Sequence, residues 1–296
     1  AEDRSNNAFM TGRLVLLLYA YHETPVSREN LVFFAGRGLL PREAGDMVFV
    51  LNGAHSVDFL RNSTNLFVVE RANSCYDFGA WKAGLEAARR NYTHYILMNG
   101  SVRGPFLPAY ERRPWYDVFL DELRDDVGLV GTSLNCWSSL AETHLQSMVL
   151  ATHRRGLEDV LLGENLLRCV ESHDEAVFGA EIPTSQAFLR HNYSLKTLLT
   201  AFDAIQGKVT PAAVFGGSPD FQLLRDLCLR LRNDHGGDPY YPNQYGGVDV
   251  HPLETIFFKA NRNVAQHHLD AYTDWLSVGG GGGGRRRGGI KSDAAS

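Results

Sequence analysis

No apolar stretch in this chain approaches the roughly 20 residues a membrane helix needs. Cysteine is scarce: Cys75, Cys136, Cys169 and Cys228 lie far apart and form no C-x-x-C pair, which excludes a zinc knuckle or a thioredoxin-like motif. They read as mostly buried thiols rather than disulfides. Positive charge is also short. The 29 Lys and Arg stand against 34 Asp and Glu, and a net charge of −5 gives no field suited to wrapping DNA or RNA. Finally, no G-x-G-x-x-G follows the first apolar run, so a nicotinamide dehydrogenase on an ordinary Rossmann sheet ranks last among the candidate functions.

What is present is the composition of an ordinary globular protein of 296 residues, enough for one large α/β domain or two small ones. Apolar runs alternate with amphipathic segments. Strands are expected at 14–19, 47–51, 66–70, 95–98 and 127–132, with helices at about 27–37, 57–62, 78–90 and 115–123. In the third of these helices Trp81, Gly84, Leu85 and Ala88 share one face. This is the β-α-β order of a mostly parallel central sheet flanked by helices. Further helices are expected at 147–156 and 157–162, and one at 181–190 entered through Pro183. A short strand follows near 193–198. The layout implied is a loose leader (1–12), a single domain (13–278) with a nucleotide-binding half (13–133) and an acceptor half (134–278), and a disordered Gly/Arg tail (279–296). The chain begins with Ala1, so an upstream signal or anchor is allowed for. Sequons at Asn62, Asn91, Asn99 and Asn192 point weakly to a Golgi or other secretory lumen, with the cytoplasm as alternative.

Open α/β sheets bind ligands at the carboxyl ends of their strands. Three strand ends here are polar: Tyr19-Ala20-Tyr21-His22-Glu23, Asn52-Gly53-Ala54-His55-Ser56, and Asn99-Gly100-Ser101-Val102-Arg103-Gly104-Pro105. They suggest one shared site.

The order of these motifs resembles the nucleotide-sugar-dependent glycosyltransferases of the A-type fold over residues 13–262. Leu16 to Glu23 is similar to the first strand and its "Tyr-Asn-Glu" end beside the nucleobase. Val48 to Gly53 resembles the second strand, with Asn52 where the family usually has Asp. Asn73-Ser74-Cys75-Tyr76-Asp77-Phe78-Gly79-Ala80-Trp81 resembles the turn that opens the third helix, and Glu181 to Tyr193 the segment that carries the base. The "Asn-Ser-Ser-Val-Arg-Gly-Pro" and "His-Pro-x-Glu-x-x-Phe-x-Lys" patterns of the rhamnan-synthesis and algal-virus group are similar to residues 99–105 and 251–259.

The resemblance implies transfer of a sugar from a nucleotide-sugar donor to a hydroxyl of a glycan or glycoconjugate, with inversion and a carboxylate base. Glu181 is the candidate base, or else a first-turn glutamate favouring a helix dipole. Donor contacts fall on Tyr21, Glu23, Asn52, Asn73, Asp77, Asn99, Ser101 and Arg103. Asp77 either orients a sugar hydroxyl or caps a helix, and Arg103 is either a phosphate fork or a surface arginine. Residues 135–137 and 144–148 would lie between donor and acceptor, with Trp137 stacking on a sugar or buried in the core, and His144 nearby. Lys259 and Arg262 are further cations for the diphosphate. The family's Asp-x-Asp is replaced by Asn99-Gly100-Ser101, whose neutral oxygens are poor ligands for Mn²⁺ or Mg²⁺. No tightly bound cofactor is expected, a metal remains possible, and His251 is either a metal ligand or an ordinary turn histidine. The competing class is a catalytically inactive relative that binds a sugar nucleotide or glycan.

Overall fold

A computed structural model describes residues 12–278 except Ser63, Ser138, Gly217 and Asn233; the remainder of the expected leader and the Gly/Arg tail lie outside the described residues. Six strands run parallel: β1 (Val15–His22), β2 (Gly45–Asn52), β3 (Leu66–Arg71), β4 (His94–Asn99), β6 (Val127–Gly131) and β10 (Ser194–Thr197), with β5 (Val102–Arg103) lying outside their sheet. Two antiparallel strands, β9 (Val149–His153) and β11 (Lys208–Val209), complete an eight-stranded sheet in the order β11-β10-β6-β9-β4-β1-β2-β3. Two small ribbons sit apart from it. One pairs β7 (Leu134–Asn135) with β8 (His144–Leu145), and the other pairs β5 with β12 (Phe258–Lys259).

The expected β-α-β order is therefore present, and β1 and β2 are buried along almost their whole length, as strands covered on both faces must be. Helix α1 (Pro25–Arg37) starts at a capping box in which Thr24 accepts from the Ser27 N–H, with Pro25 in the first turn. Helix α2 (Tyr76–Glu86) lies close on β1 and β2 because Gly84 has no side chain; a Cβ there would stand 3.0 Å from Val50 and 3.1 Å from Leu18. Trp81 on the same face donates to the Met98 carbonyl at 3.0 Å. On the other face Phe34, Trp115 and Phe257 pack edge to face or tilted with α3 (Trp115–Leu120). Each fully buried aromatic of this kind stabilises the fold by about 1.5–3 kcal/mol.

Three expectations are corrected. Residues 149–153 form strand β9, not a helix: a short apolar run buried on both faces shows no alternation, and Val149 and Thr152 favour the extended form. Glu181 does not open a helix. A helical segment begins at His173, capped by Ser172 accepting from the Glu175 N–H, widens to a π-turn over Val177–Glu181, and continues as α4 (Ile182–Arg190). Pro183, lacking an N–H, falls just after the widened turn. The cysteines are not free. Cys75 bonds Cys169 and Cys136 bonds Cys228, each bridge tying a residue beside the strand ends to a distant segment.

Candidate active site

A cavity of about 680 Å³ opens at the carboxyl ends of the central strands, within the size range of small-molecule sites. Asp77 enters it from the first turn of α2. Its position is set by two preceding residues in left-handed backbone, Cys75 (φ 65°) and Tyr76 (φ 47°), and by the Cys75–Cys169 bridge. At the end of β4, Asn99 donates from Nδ2 to Asp77 Oδ2 at 2.7 Å. Its Oδ1 accepts from the Ser101 N–H at 3.0 Å and the Ser101 hydroxyl at 2.6 Å. The Asn-Gly-Ser turn is thus a closed set of hydrogen bonds that holds one carboxylate.

A second carboxylate faces the same cavity. The π-turn directs Glu181 toward the start of β9, where the Ser147 N–H donates to Oε2 at 2.6 Å and the Ser147 hydroxyl also donates to it. His144 Nε2 lies 3.5 Å from Oε1, and the ring is oriented by Nδ1 contacting the Glu142 carbonyl at 2.7 Å. Burial alone would raise the Glu181 pKa, but the hydrogen bond and charge of His144 and the two bonds from Ser147 outweigh it and hold the group at about 2. Asp77 goes the other way. Burial first, and then the charge of Glu181, push it up to about 6 against the pull of Asn99 and Lys259. One cavity therefore carries two carboxyl groups whose environments separate them, the pattern expected where acids and bases are assigned different roles.

Cations face them. Lys259 comes from β12, opposite Val102 in the ribbon. Arg262 stacks over the Tyr241 ring at 5.0 Å and donates to its hydroxyl at 3.0 Å, while His235 stacks on the same tyrosine with ring centroids 3.5 Å apart. Trp137 and Phe178 meet edge to face at 5.6 Å on the side nearest Glu181.

Of the residues singled out in the sequence, the structure brings Asp77, Asn99, Ser101, Trp137, His144, Glu181, Lys259 and Arg262 to this cavity. It does not bring Arg103, which is buried and donates to Asn30 (2.9 Å) and Glu29 (2.7 Å) on α1, so the phosphate-fork assignment is withdrawn. Nor does it bring His251, whose Nδ1 accepts from the Leu253 N–H to start a short helix and whose ring packs with His268 and Tyr272. Tyr21, Glu23 and Asn52 form a separate network at the ends of β1 and β2. There Tyr21 donates to Glu23 (2.9 Å), Ser56 donates to Glu23 from backbone and hydroxyl, and Asn52 Nδ2 donates to the Tyr21 carbonyl (2.9 Å). Asn52 Oδ1 is buried without a hydrogen-bond partner among the described residues, and exposed Asn73 packs over Gly53 beside it.

No family model matches this sequence. No curated protein matches it either. Among solved structures it is similar to the mannosyltransferase PcManGT from Pyrobaculum calidifontis in complex with GDP-Man and Mn²⁺, at 14% identity and a TM-score of 0.47 over 90% of this chain and 79% of that one. It is also similar to S. aureus TarS 1–349 (15% identity, TM-score 0.40, 77% and 68% of the two chains). A third is glucosyl-3-phosphoglycerate synthase from Mycobacterium tuberculosis in complex with Mn²⁺, UDP and phosphoglyceric acid (14%, 0.34, 52% and 60%).

A divalent ion does not fit the donor set present. Asn99 Oδ1 already accepts two hydrogen bonds from Ser101, and among the described residues no group of three or more His, Cys, Asp or Glu is placed to hold a metal. Sequence reasoning missed Tyr76, Phe178, His235 and Tyr241, all of which line the cavity. Phe178 lies three residues before Glu181 in the widened turn, a segment that the expected helix at 181–190 left out. His235 and Tyr241 lie in a Gly- and Pro-rich loop with no period to read.

Proposed function

We propose that the protein is a nucleotide-sugar glycosyltransferase that inverts configuration at a hexosyl or deoxyhexosyl donor, acting on a hydroxyl of a glycan or glycoconjugate. The observation that carries this is the pairing, in one cavity at the strand ends, of two carboxyl groups of different acidity with two cations. In this assignment Lys259 and Arg262 hold the diphosphate and stabilise the charge that builds on it as it leaves. The nucleoside lies toward Asn73 and the ends of β1 and β2, and Asp77, fixed by Asn99, orients a donor hydroxyl. Glu181 takes the acceptor proton. An acceptor hydroxyl becomes strongly acidic only as its oxygen bonds to the anomeric carbon, so a weak base suffices if it is already ionised and in place. Ser147 and His144 keep it there. Trp137 and Phe178 offer aromatic faces for the acceptor sugar.

The two disulfides, and the exposure of the sequon residues Asn91 and Asn192, support an oxidising secretory compartment. The reading of an inactive, ligand-binding relative keeps one observation in its favour, the Asn-Gly-Ser turn in place of Asp-x-Asp. Thermal unfolding with a panel of sugar nucleotides and nucleoside diphosphates, with Mn²⁺ and with a chelator, tests the donor site. Ligand at a hundred times its Kd adds about 2.7 kcal/mol. Stabilisation by at least one nucleotide in the presence of chelator is expected, and no stabilisation by any of them refutes the proposal.

A further inference from the structure

Trp137 lines a second depression besides the active-site cavity, a groove of about 320 Å³. Its other walls are Leu140, Phe221, Leu229 and the Cys136–Cys228 disulfide, together with Arg225 and Arg232. Phe221, Arg225, Leu229 and Arg232 recur at helical spacing along α5 (Pro219–Leu231) and its C-cap, so one face of this helix alternates apolar and basic groups. Leu229 is 53% exposed. Neither arginine has a hydrogen-bond or ion-pair partner among the described residues. By contrast Arg90, Arg103, Arg113, Arg168 and Arg190 are each paired with a carboxylate. Trp137 itself is held in left-handed backbone (φ 48°), its N–H donating to Asn135 Oδ1 at 2.8 Å, and its ring stands 6.3 Å from that of His144, the partner of Glu181. Strained backbone at a bulky residue is a feature of ligand clamps.

We propose that this groove binds an anionic amphiphile, an alkyl or aryl chain carrying a phosphate. Where this rests on the transferase assignment, the amphiphile is the non-sugar end of the acceptor, and the sugar end passes Trp137 to reach Glu181. Apolar walls with two guanidinium groups that have no partner among the described residues match such a molecule in both shape and charge. A purely polar glycan fits less well, because the Ser139 hydroxyl and the Trp137 indole N–H are the only neutral hydrogen-bonding side-chain groups among the groove's described lining residues.

Calorimetric titration of the full chain with octyl phosphate below its micellar concentration tests this, with octyl glucoside and inorganic phosphate as comparisons. Octyl phosphate should bind at least about tenfold more tightly than either. The Arg225→Gln/Arg232→Gln double variant should lose about tenfold in octyl phosphate affinity while octyl glucoside affinity stays the same, and the corresponding Lys pair should recover part of the loss. Both positions are exposed, so the variants should fold. Absence of octyl phosphate binding, an unchanged affinity in the double variant, or tighter binding of an acidic oligosaccharide would each overturn the proposal. Titration of the same preparation with UDP and GDP separates the two ideas: octyl phosphate binding without nucleotide binding supports the groove and sinks the transferase.

Discussion

Replacing Glu181 by Gln removes the negative charge of the proposed base while keeping its shape and an oxygen to accept from Ser147. With the native group held at about 2, its ionised form outnumbers the protonated one by about 10⁵ at pH 7, so the proposed base is ionised at neutral pH. The amide cannot take a proton, and loss of a general base slows turnover by about 10²–10⁴-fold, or about 3–5.5 kcal/mol in the barrier. Donor affinity should barely change, because in the proposed assignment the diphosphate is held by Lys259 and Arg262 and not by Glu181. The assay is release of nucleoside diphosphate from a sugar nucleotide, with acceptor or with water in its place, alongside calorimetric donor affinity. The pH profile is a second discriminator. If Glu181 is the base, the native rate has no limb near pH 6 from loss of the base; if Asp77 serves instead, with its pKa at about 6, the rate falls as pH drops through that value. A Glu181→Gln variant with the native rate, combined with an acid limb at pH 6 and loss of activity in Asp77→Asn, would refute the assignment.

Lys259→Ala and Arg262→Ala should each weaken nucleoside diphosphate binding by about 1.5–3 kcal/mol, the loss of a charge-assisted hydrogen bond. Arg103→Ala should leave that affinity unchanged by calorimetry while lowering thermal stability by about 1–3 kcal/mol, because Asn30 Oδ1 loses its donor. Asp77 titrates higher in the folded protein (about 6) than its ordinary 3.8, so the folded state binds more protons between those values and stability contributed by this group is lost as pH rises through them. Asp77→Asn should accordingly be more stable than the native chain by about 1–3 kcal/mol at pH 7.5 and by far less at pH 4 in urea titrations; an equal gain at both would contradict this. Reduction with a dithiol should lower the melting temperature strongly, since the bridges close loops with sequence separations of 94 and 92 residues, each worth about 4–5 kcal/mol on a chain-entropy estimate.

The first half of the sheet was legible because it rests on local signals, apolar runs of strand length with turn residues between them, whereas the Thr24-Pro25 start of α1, two residues before the expected helix, came only from the structure. The second half was not. β9 has the composition of either a strand or a buried helix turn, and only its neighbours β4 and β6 decide the matter. At the site, Glu181, Asp77, Asn99 and Lys259 could be picked out by motif order, but whether a side chain faces the cavity depends on partners far away in sequence. Arg103 shows this: the residue that turns it inward, Asn30, lies 73 positions earlier. The disulfides escaped for the same reason, as cysteine spacing says nothing about proximity when more than ninety residues intervene.

The position of β9 bears on how the chain reaches this state during synthesis. β4 leaves the ribosome with one edge open, and its eventual neighbour on that side is not β6, which comes next as a long strand, but β9. The nascent chain must therefore hold a vacancy in the middle of its sheet until residues 149–153 have emerged, and an unpaired edge of this kind is where strands from other chains dock. A nascent chain stalled shortly after β6 would expose that slot, so the same insertion that delivers Ser147 to Glu181 leaves the β4 edge open until residues 149–153 are made.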